Sequence, residues 1–521
     1  MKRGSPYTRY LWWLIIISTL IRGFLAAFLE LGNDEVYYWT YALYPALSHF
    51  DHPPMVGWVI QLFTLNLLLD SEFFIRLGPV VIGSLNTLLV FLIGRSIKNE
   101  RTGWIAALLY TSSIYTFVIS GIFILPDTPQ LLYWLISTYF LIEVFTGSGS
   151  MKVRNWQLVL AGVGIGLAML SKYTSVFLWI GAILYILLYD RKWLRSPFLY
   201  LSILLSGVFF LPVLIWNINT GFISFTFHSG RVGFFGSGIN FTTLITELSG
   251  QFLYNNPVNY VLIAGGVIAF LRKKVFFSRS TGRFLLLTAL PLIFLFIMFS
   301  LFRQTLPHWT GPAYTMLIFL AAAWLSDKQM RPGMKKPVPL PVLSALSLLI
   351  IILILGVAQI KGGWLFYDHS EVPRELGKND VTLDMYGWEQ IGEEFKEIRE
   401  RDINEYWMRR DDIVLSYRWF PAANLDYYVA GPAGTEVLCI GPLDKLHKYA
   451  WINRYRGGFE KGMNAWFITT SRDYQDFTKF MEYFHVMEPS DTIRIHRGGR
   501  HVENAFVYRM YFMKKVPEGS F

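Results

Sequence analysis

The chain has one cysteine, Cys439, in 521 residues. No internal disulfide can form, so a cross-linked scaffold is excluded. Charge is scarce too: 16% of residues are charged, against roughly 25% in an ordinary globular chain. The first 360 residues hold 12 Asp and Glu against 25 Lys and Arg, a balance of +13, whereas residues 361–521 hold 25 against 22, a balance of −3. A nucleic-acid binder would cluster its cations on an otherwise soluble domain. Here the basic excess belongs to the apolar part, so nucleic acid is excluded as the partner and membrane lipid replaces it. Walker, zincin and G-x-S-x-G motifs are also missing. What remains is 53% apolar residues, 17% aromatics and a mean hydropathy of +0.37.

A bilayer core about 30 Å thick takes about 20 apolar helical residues. Stretches of that kind run near 10–31, 76–97, 103–122, 128–146, 157–171, 174–190, 197–217, 253–271, 284–302, 310–326 and 339–360. Every backbone amide in hydrocarbon needs an internal partner, so all eleven are expected as helices. Alternate loops carry 20 Lys and Arg, from Lys2 to Lys336, and the other side with the span interiors carries five: Arg22, Arg76, Lys172, Arg231 and Arg303. The positive-inside rule then puts the N-terminus in the cytoplasm and the tail outside. The first span has no small-residue cleavage site and is expected to stay uncleaved. The expected fold is a polytopic α-helical membrane protein of about eleven transmembrane helices, residues 1–360. An extracytoplasmic α/β domain, residues 361–521, follows. In that tail Trp388, Ile391, Phe395 and Ile398 have helical spacing, while "DIVLSY", "EVLCIG", "AWFITT" and "AFVYRMYFM" read as strands.

Seven of the twelve acids in the membrane half fall on the outer side, so the chemistry is expected there. The first outer loop holds Asp34 and Glu35 at the end of span one, amid interfacial aromatics that include Tyr37, Tyr38, Trp39 and Tyr41. Two adjacent acids cannot both enter one pocket, so Asp34 is favoured as a proton acceptor, with Glu35 supporting or structural. Met55–Leu69 is too short to span and is expected as an interfacial helix. Before it comes "HFDHPP". The residues His49, Asp51 and His52, stiffened by Pro53 and Pro54, suit a divalent ion or a phosphate, or else a rigid turn. Asp127 lies in a short connection between Pro126 and Pro129, as catalyst or as helix cap. Lys172 and Tyr173 form a tight turn in which the lysine either snorkels or meets an anion. His228 and Arg231 share a helical face, and the last outer connection adds Arg303, His308 and Trp309. Gly162 and Gly166 form a small-xxx-small helix-packing face and not a nucleotide loop.

The segments "NDEVYYWTYA" (33–42), "SHFDHPPMVGW" (48–58), "PDTPQLLYW" (126–134), "LSKYTSVFL" (170–178), "FHSGRV" (227–232) and "LPHWTGPAY" (306–314) occur in an order that resembles a known family. The family is the polyprenol-phosphate-dependent membrane glycosyltransferases of the GT-C fold. Within it the chain is most similar to the family 39-like branch, which holds protein O-mannosyltransferases and aminoarabinose transferases of lipid A. The resemblance implies a catalytic acid at Asp34 and a second acidic position at Asp127. It puts Asp51 and His52 at positions that read Glu-Lys in some relatives, a departure because neutral His binds phosphate less well. His228 and Arg231 resemble a His and an Arg that face the cavity. Metal use varies in the family, so the resemblance allows a divalent ion without implying one, and Asp51 with His228 are the residues it would take.

Outside the cytoplasmic membrane a sugar donor has to ride on lipid, typically polyprenyl phosphate. The implied function is transfer of a sugar from that carrier to a lipid, glycan or protein acceptor of the cell envelope. Inversion at the anomeric carbon is expected. Glu35, Tyr38, Asp51, His52, Lys172, Tyr173, His228, Arg231, Arg303 and His308 are the expected substrate contacts, with cations near the departing phosphate. Two readings from other classes stand beside this one. A secondary transporter would place its charges near the midplane of repeated halves. A non-catalytic subunit would bind the polyprenyl lipid without consuming its sugar.

Overall fold

The computed structural model describes residues 5–232, 238–274, 276–328 and 337–517. In chain order the longer helices are α1 (Pro6–Phe28), α2 (Asn33–Leu43), α3 (Met55–Phe63), α4 (Glu72–Ile97), α5 (Glu100–Ser112), α6 (Asp127–Thr146), α7 (Met151–Met169) and α8 (Phe177–Tyr189). They continue with α9 (Pro197–Asn219), α10 (Ile223–Val232), α11 (Phe241–Tyr254), α12 (Pro257–Leu271), α13 (Arg279–Ser300), α14 (Gly311–Lys328), α15 (Leu340–Gly362) and α16 (Trp388–Asn404). The chain divides into two compact units, Met1–Ala27 with Pro45–Ile351, and Phe28–Tyr44 with Ile352–Phe521. The expected boundary at 360 lies close to the second division. Assignment of Phe28–Tyr44 to the C-terminal unit was not legible in the sequence.

Each of the eleven stretches read as spans is largely helical. By length and composition α1, α4, α9, α13 and α15 are long and apolar enough to cross a membrane. Helix α14 is buried on nearly every face from Gly311 to Leu325 and forms the centre of the first unit, whereas α9 and α15 leave most of their apolar surface outward. Gly162 and Gly166 do the packing expected of them. A Cβ on Gly162 would lie 2.5 Å from the Ser202 carbonyl of α9, and one on Gly166 would lie 3.0 Å from Ser206.

Two elements differ from expectation. The third stretch is broken, with α5 ending at Ser112 and Tyr115–Ile119 forming a π turn. The Thr116 hydroxyl takes the Tyr110 carbonyl and Ser112 takes Leu109, so hydroxyls compete with the helical ladder there. The helix expected at the interface is nine residues long, not fifteen. Thr64 closes it by bonding the Ile60 carbonyl, and Leu65, Asn66 and Leu67 then run through positive φ. The stretch that carries His228 and Arg231 is helical as expected, in α10, and α11 follows it.

The second unit carries a five-stranded sheet of β1 (Ile413–Ser416), β2 (Val437–Cys439), β3 (Ala465–Thr470), β4 (Phe484–Arg497) and β5 (Arg500–Met513), in the order β2-β1-β3-β5-β4. Strands β1, β2 and β3 are parallel, and β5 runs antiparallel to β3 and β4. The expected strands are β1, β2, β3 and β5, and β4 is new. Trp388, Ile391, Phe395 and Ile398 are all buried on α16, as their spacing predicts.

Candidate functional site

In the first unit the site starts from Asp127. Pro126 and Pro129 bracket the start of α6, so Asp127 occupies its first turn, where the helix dipole favours an anion. The side chain is buried. Its Oδ2 accepts a bond from Lys172 Nζ at 2.7 Å, and its Oδ1 accepts one from the Tyr115 hydroxyl at 3.2 Å. Lys172 comes from the turn between α7 and α8. That turn is fastened to α6 by Gln130 Nε2, which donates to Thr174 at 2.9 Å and to Ser175 at 3.0 Å. A lysine buried in apolar surroundings needs such an anion close by. The ammonium also lies 6.0 Å from the centre of the Trp309 ring, and His308 is near enough to act electrostatically on Asp127. Tyr115 can sit there because residue 311 has no side chain, since a Cβ on Gly311 would come within 2.3 Å of the ring.

The "HFDHPP" segment joins the same region. Met55 N donates to the Leu170 carbonyl at 3.2 Å, and His49 N donates to the His52 carbonyl at 3.2 Å, closing a turn. The Ser224 hydroxyl of α10 donates to the His49 carbonyl at 3.0 Å, and the Phe50 ring packs 4.4 Å from Phe227. Asp51 is buried and lies within electrostatic reach of Tyr173, beside Lys172. His52 is half-buried next to it. Asp51, Asp127, Lys172, Tyr173 and His308 thus belong to one region of the first unit. Arg303 is half-buried in the turn after α13. The side chains of His228 and Arg231 lie outside the described residues. Among the described residues no three His, Cys, Asp or Glu side chains come together as a metal set.

A buried network that sequence reasoning missed stands behind His308. Glu247 of α11 accepts from Gln251 and from the Thr305 hydroxyl, each at 2.7 Å, and Gln251 accepts from the Tyr314 hydroxyl at 2.7 Å. Pro307 packs directly on Gly250. These contacts fix the turn that presents His308 and Trp309. The Glu and Gln at i and i+4 on one helix were the available signal.

In the second unit Asp34 is exposed in the first turn of α2. Glu35, expected as a substrate contact, caps that helix: its Oε2 accepts from Gly32 N at 2.9 Å. Tyr38 is buried among Tyr37 and Tyr41, with ring centres 5.7 and 5.4 Å away. Two long-range clamps hold the segment. Glu30 accepts from Gly387 N at 3.0 Å and Trp388 N at 2.8 Å, capping α16, while Lys448 Nζ donates to the Thr40 carbonyl at 2.8 Å and the Tyr44 carbonyl at 2.6 Å, closing α2. Burial pushes the Glu30 carboxyl above its usual range, against the pull of those two amides.

Residues 51–216 match the family model for dolichyl-phosphate-mannose-protein mannosyltransferases. Lipid A galacturonosyltransferase RgtD of Rhizobium johnstonii is 24% identical over 304 residues, 58% of this chain and 62% of that protein. The structure superposes on ArnT from Cupriavidus metallidurans bound to undecaprenyl phosphate with a TM-score of 0.62 at 15% identity, over 94% of this chain and 97% of that one. The chain has the GT-C fold. It is a membrane protein with a sheet-containing C-terminal unit, as the motif order implied. The oligosaccharyltransferase of Archaeoglobus fulgidus tethered with an acceptor peptide is a more distant neighbour, with a TM-score of 0.50 at 13% identity over 91% of this chain and 70% of that one. The matched stretch 51–216 contains Asp51, Asp127, Lys172 and Tyr173, while Asp34 precedes it.

Proposed function

We propose that the chain is a membrane glycosyltransferase that takes a sugar from a polyprenyl phosphate carrier and passes it to an acceptor on the extracytoplasmic face. The observation that carries the reading is the buried Asp127–Lys172 pair, on which His308 acts electrostatically, in a chain with this fold. A pair so enclosed adds little net stability over an apolar replacement, which favours a role in binding over one in folding. The role of the ammonium is to lower the energy of the phosphate that gains charge as the glycosidic bond breaks. Arg231 and Arg303 are the further cations assigned to that phosphate, and His52 is a hydrogen-bonding contact.

The acceptor oxygen attacks the anomeric carbon from the face opposite the phosphate. The new C–O bond forms as the old one breaks, its electron pair stays on the phosphate, and the configuration inverts. With a hydroxyl acceptor the proton passes to Asp34, whereas an ionised acceptor needs positioning only. A relative that acts on lipid A favours a lipid acceptor over a glycan or a protein. A bacterial plasma membrane with a cytoplasmic N-terminus is the matching location.

The test is transfer by the purified, reconstituted chain. Asp34→Asn should leave the protein inserted and lower the rate by on the order of 10²–10⁴. Arg231→Gln should raise the apparent KM for donor more than that for acceptor. Full turnover by Asp34→Asn removes Asp34 from the mechanism. Binding of sugar-loaded carrier without its consumption by the unaltered chain makes the protein a lipid-binding subunit.

A further inference from the structure

The parallel strands of the second unit end at a crevice. Strand β1 pairs with β2 on one side and with β3 on the other. The chain leaves β1 toward β2 and leaves β3 toward the β4–β5 hairpin on the opposite side. In open α/β sheets, ligands sit outside the carboxyl ends of the strands where the connections diverge in this way. An open cleft of about 360 Å³ lies there, lined in part by Tyr417, Arg418, Lys445, Gln475, Lys479 and Tyr483. A second cleft, of about 410 Å³, is lined by Arg374, Lys378, Arg472, Asp473 and Tyr474 among others. A built partition joins the two: the Tyr417 hydroxyl donates to the Asp473 carbonyl at 2.8 Å, and Arg418 is ion-paired with the Asp473 carboxylate.

The charges of the first cleft are unevenly answered. Arg418 has Asp473, and the one lining acid, Glu482, lies 3.5 Å from Lys515. Lys445 and Lys479 are exposed and have no ion-pair partner among the described residues. The side-chain Nε2 of Gln475 is buried without a hydrogen-bond partner. Tyrosine rings, two unpaired ammonium groups and an idle amide donor make a donor-rich wall with an apolar face. A sugar ring can lay its C–H face on an aromatic side chain, and an anionic substituent on that ring would meet the lysines in charge-assisted hydrogen bonds.

We propose that the crevice at the carboxyl ends of β1 and β3 binds an anionic saccharide, a sugar that bears a carboxylate or a phosphate. The site lies wholly within the second unit and needs no part of the transfer chemistry, so it stands or falls independently of the proposed reaction.

The experiment is calorimetric titration of the full-length chain in detergent with galacturonic acid, glucose 6-phosphate, glucose and inorganic phosphate. At least one of the two anionic sugars should bind at least tenfold tighter than glucose and than inorganic phosphate, and the stronger of the two identifies the charged group. The double variant Lys445→Gln/Lys479→Gln should lose at least tenfold at an unchanged unfolding temperature, because both lysines are exposed. Tyr483→Ala should narrow the advantage of the anionic sugar over free phosphate. Phosphate binding as tightly as the better of the two anionic sugars reduces the site to an ion site and overturns the proposal. Undiminished binding by the double variant, or no binding of either anionic sugar, overturns it as well.

Discussion

Lys172 Nζ and Asp127 Oδ2 lie 2.7 Å apart, with side chains 7% and 2% exposed, in a unit made mostly of apolar helices. Removing one partner of such a pair strands the other charge, and the usual cost is about 3–5 kcal/mol. Asp127→Asn and Lys172→Met should each destabilise the chain by that order, and the double variant by less than their sum by at least about 1 kcal/mol. Unfolding in detergent, followed by tryptophan fluorescence across the four proteins, gives the coupling. Strict additivity would mean that the two charges do not support each other.

Gly311 tests the same corner through packing. An added methyl would lie 2.3 Å from the Tyr115 ring, and overpacking of this kind typically costs about 1–3 kcal/mol. Gly311→Ala should therefore lower stability and also reduce transfer, because the hydroxyl that bonds Asp127 is pushed away. Tyr115→Phe removes only that bond. If Gly311→Ala in the Tyr115→Ala background costs as much as it does alone, the ring is not what the methyl meets.

How much of this was visible beforehand depends on the range of the contact. Gly162 and Gly166 are four apart on one helix, so their packing role followed from local geometry alone. Asp127 between two prolines marked the start of α6 for the same reason. Lys172 was legible as a costly lysine, but its partner stands 45 residues away, and nothing local names it. Glu30 and Lys448 escaped notice altogether, since each acts across more than 350 residues. Glu35 was open between a supporting and a structural role, because a capping box and an adjacent pair of acids look alike in one dimension, and its bond to Gly32 N supplies the structural one. Strand β4 was missed because Pro489 and a register shift before Asp491 break the alternation that would have marked it.

Lys448 makes the clearest test of the clamp on residues 28–44. Its ammonium closes the carboxyl end of α2 on two carbonyls, and hydrogen bonds to a charged group are worth about 1.5–3 kcal/mol each. Lys448→Met should raise amide hydrogen exchange throughout Asn33–Leu43 by at least tenfold while leaving β1 and β3 protected. Glu30→Gln should loosen the first turn of α16 in the same assay. Unchanged exchange in both variants would assign the order of this segment to its aromatic packing, in which Tyr37 lies 4.9 Å from Trp419.

Glu503 gives the second unit a pH dependence of definite sign. Burial raises this carboxyl from 4.5 to about 7, and Asp384 and Asp380 push it the same way, while Arg472 and a bond from Thr470 oppose them. A carboxyl that holds its proton more tightly when folded stabilises the fold fully below its unfolded value. That stability is lost as pH rises through the folded value. At about 1.4 kcal/mol per pH unit the stability lost between about pH 4.5 and 7 is of order 3 kcal/mol. Glu503→Gln keeps the shape and removes the titration. Thermal midpoints measured from pH 5 to pH 8 should therefore fall more steeply for the unaltered chain than for the variant, with the gap opening toward the alkaline end. Parallel profiles would place the Glu503 proton in exchange with water at its ordinary pKa, and the side chain would then have to be hydrated.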